Sequence, residues 1–486
     1  MVKPAVGVAA KWGLFLVGRA RGHDGRRTQG YNRSTSQGTA ANHRLELSIY
    51  PGGNGVNAHL LKRPHLAMVL VALLALAALL LVGCGSQEPA QTTGGGGGQT
   101  GTAIIGFTAS KTGELNIESI RQTNGLELWI KQVNEAGGVT LADGTKVTFK
   151  SKSYDDESNK DRVQELYTRL VTEDKADFLI SPYSSGLADA AAVIAEQNGR
   201  VMITTGAADD ATYQKGYTLV YQLYTPASRY LTGAIDLLGS ISADLKKIAF
   251  VYENDKFSTS VVLAARAYAK EKGYEEVLFE GYESGTTDFG PFINKIQAAK
   301  PDAILGGGHF QDGSTLARQM FEKRVKAKFV ALLVAPPEPS FAEIGDAALG
   351  VIGPSQWEPN AKYSEATAGG AEWVGPTIKE FVQAYKDAYG EEPSYHSAGG
   401  YTAGLVVQKA IETAGTLDTN KVKEALDAAN LMTFYGPVKF DTSEESHGLQ
   451  SSHEMVYVQW QDEGGTLTKE IIWPDAAKTA KHLSIQ

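Results

Sequence analysis

From residue 102 to residue 334, short apolar runs alternate with amphipathic stretches, and few architectures accept that pattern. Segments 103–107, 146–154, 177–180, 201–204, 248–252, 276–282, 303–306 and 329–334 read as strands. Between them, apolar residues fall on one helical face at 124–135, 161–173, 187–197, 259–272, 290–299 and 314–323. Strands alternating with helices of this length imply parallel sheets covered on both faces. The units are too many for one ordinary domain, so two doubly wound lobes are predicted. Three long helices follow at 377–389, 398–414 and 421–430, and strand-like segments return at 435–440, 455–461 and 467–472. The expected division is 102–224 and 354–433 for lobe 1, with 225–353 and 434–486 for lobe 2. The last of these segments contributes a hairpin and the C-terminal segment.

The residues before 102 read as addresses rather than fold. Lys62 and Arg63 precede 17 uncharged residues at 66–82, and Leu81-Val82-Gly83-Cys84 closes the run. Positive flank, apolar run and small residue is the layout of a secretory signal, here spanning 59–84. Its ending resembles a bacterial lipobox, in which the cysteine thiol carries the lipid. Seventeen residues are also short for a span that needs about 20. Residues 1–58 show no sustained period and read as an unstructured extension, or as sequence upstream of a later start near Val56. Residues 85–101 include five consecutive glycines at 94–98 and read as a flexible tether.

Charge separates the same two parts. Residues 1–67 hold ten Lys and Arg against two Asp and Glu, whereas the rest hold 36 against 53. An acidic body argues against nucleic acid as a partner. One cysteine allows no intramolecular disulfide. No G-x-S-x-G, no H-E-x-x-H and no metal-spaced Cys/His set is present, so neither an enzyme nor a metal or cofactor is expected.

In open α/β sheets, ligands bind beyond the carboxyl ends of the strands, where helix N-termini offer free N–H groups. That rule selects four loops. Ser181-Pro182-Tyr183-Ser184-Ser185-Gly186 places two hydroxyls at a helix start, which can cap the helix or bind a carboxylate. Thr204-Thr205-Gly206-Ala207-Ala208-Asp209-Asp210 lets the backbone approach a ligand closely, although its acidic pair also suits a helix start. Glu253-Asn254-Asp255-Lys256-Phe257-Ser258 supplies an aromatic from the second lobe, either to enclose a ligand or to staple the helix. Gly306-Gly307-Gly308-His309-Phe310-Gln311-Asp312 presses a backbone against a neighbour and carries a histidine that is either structural or on a ligand.

Several motifs in order then resemble the type I periplasmic solute-binding proteins of the branched-chain amino-acid ABC transporter group, the leucine/isoleucine/valine-binding proteins. They are Ile104-Ile105-Gly106-Phe107, Val133-Asn134-Glu135-Ala136-Gly137-Gly138-Val139, Tyr154-Asp155-Asp156, Val201-Met202-Ile203-Thr204, Gly307-Gly308-His309 and Tyr435-Gly436-Pro437-Val438-Lys439-Phe440-Asp441. The resemblance implies an α/β fold of two Rossmann-like lobes with parallel central sheets, joined by a three-strand hinge. It implies a binding role: an amino acid held in the cleft, an ABC permease and ATPase as partners, and an extracytoplasmic lipoprotein anchored to the bacterial membrane through Cys84. By position it puts the carboxylate-binding serine on Ser185 and the backbone group near Gly206. Ala208 stands where the family has threonine, Phe257 and His309 stand at the second-lobe aromatics, and Glu118 near a first-lobe tyrosine. Glu338 is the expected ammonium partner. These departures leave amides, urea and aromatic carboxylates as alternative cargo, and a sensory subunit of a signalling receptor as an alternative role.

Overall fold

The computed structural model describes residues 99–484, so the apolar run, Cys84 and most of the glycine tether lie outside the described residues. The first sheet contains β1 (Thr100–Ala109), β2 (Val139–Thr140), β3 (Lys146–Asp155), β4 (Phe178–Ile180), β5 (Met202–Thr204) and β6 (Val220–Gln222), in the order β2-β3-β1-β4-β5-β6. All of its pairings are parallel except the edge pair β2–β3. Helices α1 (Asn116–Glu135), α2 (Lys160–Thr172) and α3 (Ser185–Gln197) connect these strands.

After α4 (Thr232–Ile241), the second sheet begins with β7 (Lys247–Glu253), β8 (Glu275–Tyr282), β9 (Ala303–Gly307), β10 (Phe329–Leu332) and β11 (Ile352–Ser355). Its helices are α5 (Lys256–Glu271), α6 (Gly290–Ala299) and α7 (Phe310–Glu322). The short strands β12 (Glu372–Trp373), β13 (Leu431–Thr433) and β14 (Gly436–Val438) form a third sheet. The chain between β12 and β13 folds into α8 (Ile378–Tyr389), α9 (Tyr395–Ala414) and α10 (Thr419–Asp427), which sit beside the first sheet through α9 and α1. Finally β15 (Val456–Asp462) and β16 (Leu467–Trp473) join the second sheet antiparallel, giving the order β16-β15-β11-β10-β9-β7-β8. The chain therefore passes between the two large sheets three times. Two lobes, each an α/β layer structure, result.

Strand interiors are apolar and fully buried, as in Phe178-Leu179-Ile180 and Ala303-Ile304-Leu305, because helices cover both faces. The α1–α9 contact is set by two glycines. A Cβ on Gly125 would lie 1.9 Å from the Ser397 carbonyl oxygen, and one on Gly400 1.9 Å from that of Gln122. That backbone-to-backbone approach brings the polar first turns of α1 against the start of α9.

The sequence pattern misplaced some elements. Helix α1 starts at Asn116, two turns before the predicted 124, because its first turns bury Glu118, Ser119, Arg121 and Gln122 in a polar cleft and so lack an apolar period. Strand β11 was not expected, since Gly353-Pro354 reads as a breaker. Helix α4 and the three-residue strand β6 were also missed.

Candidate functional site

The loops beyond the carboxyl ends of the strands meet between the lobes. Tyr183, Ser184, Gly206 and Ala208 come from the loops after β4 and β5, while Phe257 and Val334 come from the second lobe. Tyr224 and Tyr230 follow β6, and Tyr395 and His396 form the first turn of α9. Together they enclose a cavity of about 10 Å³, with the lobes closed on it. Aromatic rings dominate the wall: Tyr230 meets Phe257 edge-on at 5.2 Å, and Tyr183 meets His396 edge-on at 5.0 Å.

Ser184 and Ser185 have different tasks. Ser184 is the N-cap residue of α3, yet its hydroxyl makes no capping bond and lies on the cavity. The Ser185 oxygen accepts from the backbone N–H of Ala208 at 3.0 Å and of Asp209 at 3.3 Å, tying the two first-lobe loops together. Thr205 is buried behind Gly206, and its carbonyl accepts from the Ser181 hydroxyl at 3.0 Å. Gly206 has φ +72, and a Cβ there would lie 2.2 Å from Gln122 Oε1 and 2.8 Å from the Tyr183 ring. Only glycine fits that turn.

Charged groups frame the cavity. Glu338 is fully buried, and its Oε1 is 2.6 Å from His396 Nδ1. Its Oε2 is 3.2 Å from the Arg121 guanidinium, which also reaches Glu391 at 3.0 Å. Burial alone would raise this carboxyl, but the His396 hydrogen bond and the charges of His396 and Arg121 hold it below the usual range. Glu338 is therefore engaged by two protein partners, outside the cavity wall. The pairing leaves His396 Nε2 buried without a partner.

Glu118 is fully buried as well. Its Oε1 accepts from the Phe310 N–H at 2.8 Å across the cleft, and its Oε2 has no partner. His309 lies beyond the cavity wall, with Nδ1 2.6 Å from the Tyr183 hydroxyl and Nε2 3.2 Å from Asp255. Burial would lower its pKa, but the Asp255 hydrogen bond and the carboxylates of Asp255, Glu253 and Glu118 push it up to about 10. Lys256 closes the other side of the cleft, 3.0 Å from Asp189 and 3.1 Å from Asp209.

The structure thus brings Ser184, Gly206, Ala208 and Phe257 to one cavity, with Thr205, Glu118 and His309 just behind its walls. Ser185 and Glu338 hold other protein groups. Sequence reasoning missed Arg121, Tyr224, Tyr230, Tyr395 and His396. The capping box Ser394-Tyr395-His396-Ser397 marks the start of α9 and was the available signal for the last two.

Comparison with known proteins agrees with this architecture. The Leu/Ile/Val-binding protein homolog 7 of Brucella melitensis is 26% identical over 382 residues, covering 75% of this chain and 90% of the relative. The leucine-, isoleucine-, valine-, threonine-, and alanine-binding protein of Pseudomonas aeruginosa is 26% identical over 372 residues, covering 76% and 92%. Among solved structures, the branched-chain amino acid transporter substrate binding protein LivJ of Streptococcus pneumoniae, in complex with isoleucine, superposes with TM-score 0.62 at 21% identity over 77% of this chain and 100% of that one. An R. palustris ABC-transporter solute binding protein in complex with 4-hydroxybenzoate superposes with TM-score 0.63 at 18% identity, covering 78% and 97%. With two closed α/β lobes, a cavity at the strand tips and a match to the family's sequence profile over residues 102–466, the chain belongs to the periplasmic binding protein family.

Proposed function

We propose that this protein is the extracytoplasmic solute-binding component of an ABC importer, and that its cargo is an amino acid with an apolar side chain. One observation carries the reading. The interlobe cavity is lined by an uncommitted cap hydroxyl at a helix N-terminus, Ser184, and by aromatic rings, and a buried carboxylate oxygen of Glu118 that lacks a partner stands behind that wall. A carboxylate is stabilised at a helix N-terminus, where N–H groups and the dipole converge. An ammonium group suits the free oxygen of Glu118, and an apolar side chain suits Tyr224, Tyr230 and Phe257. Glu338 is given no ligand contact in this reading, because it is held by His396 and Arg121 and does not line the cavity.

Admitting a ligand requires the lobes to part, and closing on it buries the ligand. Such a trap works only if the ligand binds the closed form better than the open one. In this reading lipid on Cys84 holds the body at the membrane, and the permease and ATPase accept the cargo. A second cargo class, aromatic carboxylates, is favoured by the density of rings in the wall and by His396 Nε2, which offers a polar contact without an ammonium partner.

A thermal-shift panel of amino acids and hydroxybenzoates on the full chain tests the cargo. A ligand at 100 times its Kd adds about 2.7 kcal/mol of stability. Stabilisation by an aliphatic amino acid supports the first reading. Stabilisation by hydroxybenzoates alone replaces it with the second. Mass spectrometry of the membrane-extracted protein for diacylglycerol on Cys84 tests the anchor.

A further inference from the structure

Outside the cleft cavity, three side chains from two loops of the second lobe converge. Glu253 is the last residue of β7, Asp255 the N-cap of α5, and His309 the N-cap of α7. His309 Nε2 is 3.2 Å from Asp255 Oδ2 and 3.9 Å from Glu253 Oε2. One donor atom from each residue lies within 4.8 Å of the other two. Glu253 is 4% exposed, and its Oε2 has no hydrogen-bond partner. A carboxylate oxygen buried in that condition is costly, and native structures protonate it, pair it or place it on a metal. Asp255 Oδ2 has, besides the His309 contact, only the Phe257 N–H at 3.2 Å, and the neighbouring oxygens are taken. Asp255 caps α5 by accepting from Ser258 N–H at 2.7 Å, while Asp312 accepts from the His309 N–H at 2.7 Å and from the Tyr282 hydroxyl. A cavity of about 180 Å³ runs from Glu253 and His309 past Thr286, Thr287 and Thr315, with room for water ligands.

We propose that Glu253, Asp255 and His309 form a binding site for a zinc-type divalent cation, with Glu253 Oε2, Asp255 Oδ2 and His309 Nε2 as the protein donors, the Nε2 proton released to solvent as the metal binds, and water completing the shell. Two carboxylates and one imidazole match borderline cations, which bind such donors at about 2.0–2.2 Å. Calcium and magnesium prefer all-oxygen shells. The far side of the imidazole supports the assignment. Metal-bound histidines usually have a hydrogen-bond partner on the other ring nitrogen, and His309 Nδ1 has the Tyr183 hydroxyl at 2.6 Å. Tyr183 belongs to the first lobe, so the cation would hold His309 in the orientation that bridges the closed cleft. No metal spacing was visible in the sequence because the donors lie on two loops that meet only in the fold.

The test uses the full chain, stripped with EDTA and dialysed, and titrated with ZnCl2, CaCl2 and MgCl2 in a calorimeter. The expected result is a Zn2+ site that Glu253→Gln and His309→Gln weaken more than about 10-fold. Glu253→Gln should melt at or above the wild-type temperature without metal, since it removes a buried charge, and should lose the rise in melting temperature that Zn2+ gives the wild type. Tyr183→Phe should bind Zn2+ more weakly than wild type but more tightly than His309→Gln. Absence of a Zn2+ site, equal Zn2+ affinity in wild type and Glu253→Gln, or preference for Ca2+ would each overturn the assignment. Histidines near the N-terminus and Cys84 are common to wild type and variants, so the difference between them isolates this site.

Discussion

Two buried polar clusters join the lobes, and they are built on opposite principles. At the crossovers His453 is fully buried, with Nδ1 3.0 Å from the Thr225 hydroxyl and Nε2 3.2 Å from the Tyr435 carbonyl. Gln356 accepts from Thr225 N–H at 2.9 Å, and the Trp357 indole donates to the Phe434 carbonyl at 3.0 Å. These groups are neutral, and no carboxylate contacts the ring; burial pushes the His453 pKa down to about 4. In the cleft, His309 is equally enclosed but faces Asp255, Glu253 and Glu118, which push its pKa up to about 10. Neighbouring charges, not depth, decide the protonation of these two imidazoles. At the crossovers both nitrogens of the buried imidazole are paired with neutral groups, whereas the cleft keeps carboxylate oxygens and an imidazole nitrogen uncommitted. One region is built to hold the chain, the other to receive something.

The contrast predicts that changes at the crossovers cost stability and changes in the cleft cost binding. The largest effect is expected from Trp357→Ala, which removes a fully buried ring packed against Phe381 and Phe434. It should destabilise by about 3–5 kcal/mol in urea titrations, with the ligand affinity of the folded fraction retained. A loss below about 1 kcal/mol would break the comparison.

Next comes the response to acid. His453 takes up its proton more readily in the unfolded chain, near pH 6.5, than in the fold, near pH 4. Its contribution is intact above pH 6.5 and declines as pH falls toward 4, by about 3 kcal/mol at the lower limit. Denaturation of wild type and His453→Gln across pH 7 to 4.5 measures it: the acid loss should be smaller in the variant.

The two serines sharpen the comparison inside one loop. Ser184→Ala should weaken ligand binding by about 1–3 kcal/mol in calorimetry while leaving the melting temperature almost unchanged. Ser185→Ala strips the acceptor from two buried N–H groups and should cost about 1–3 kcal/mol of stability. The reverse pattern would return the carboxylate contact to Ser185. The smallest effect is expected from Lys256→Met. Its bridge to Asp189 and Asp209 spans the lobes but is 28% exposed, so its loss should cost less than about 1 kcal/mol, and less still at high salt. Small-angle scattering of the ligand-free protein should then show a larger open fraction.

Much of the framework was legible before the structure. The predicted strands at 103–107, 276–282 and 329–334 fall on β1, β8 and β10, and the loops after β4, β5, β7 and β9 do meet at the cleft. What escaped were polar or very short elements. The first turns of α1 carry Glu118, Arg121 and Gln122 into the interior, so burial there left no hydrophobic period to read. Tyr224 and Tyr230 flank a crossover whose preceding strand is three residues long. His396 stands two residues before the predicted helix start at 398 and so fell outside it.

Hydrophobic period and turn chemistry are properties of neighbouring residues, so the chain's own order was enough to determine alternating strands and helices, two lobes, and the loops that crown them. Pairing is not local. Which cation meets Glu338, whether Ser184 or Ser185 is left uncommitted, and which imidazole keeps its proton depend on strand tips far apart in the chain coming within about 3 Å, the range over which hydrogen bonds act. Only the folded arrangement of the lobes decides those distances, and with them the charges that the cleft offers.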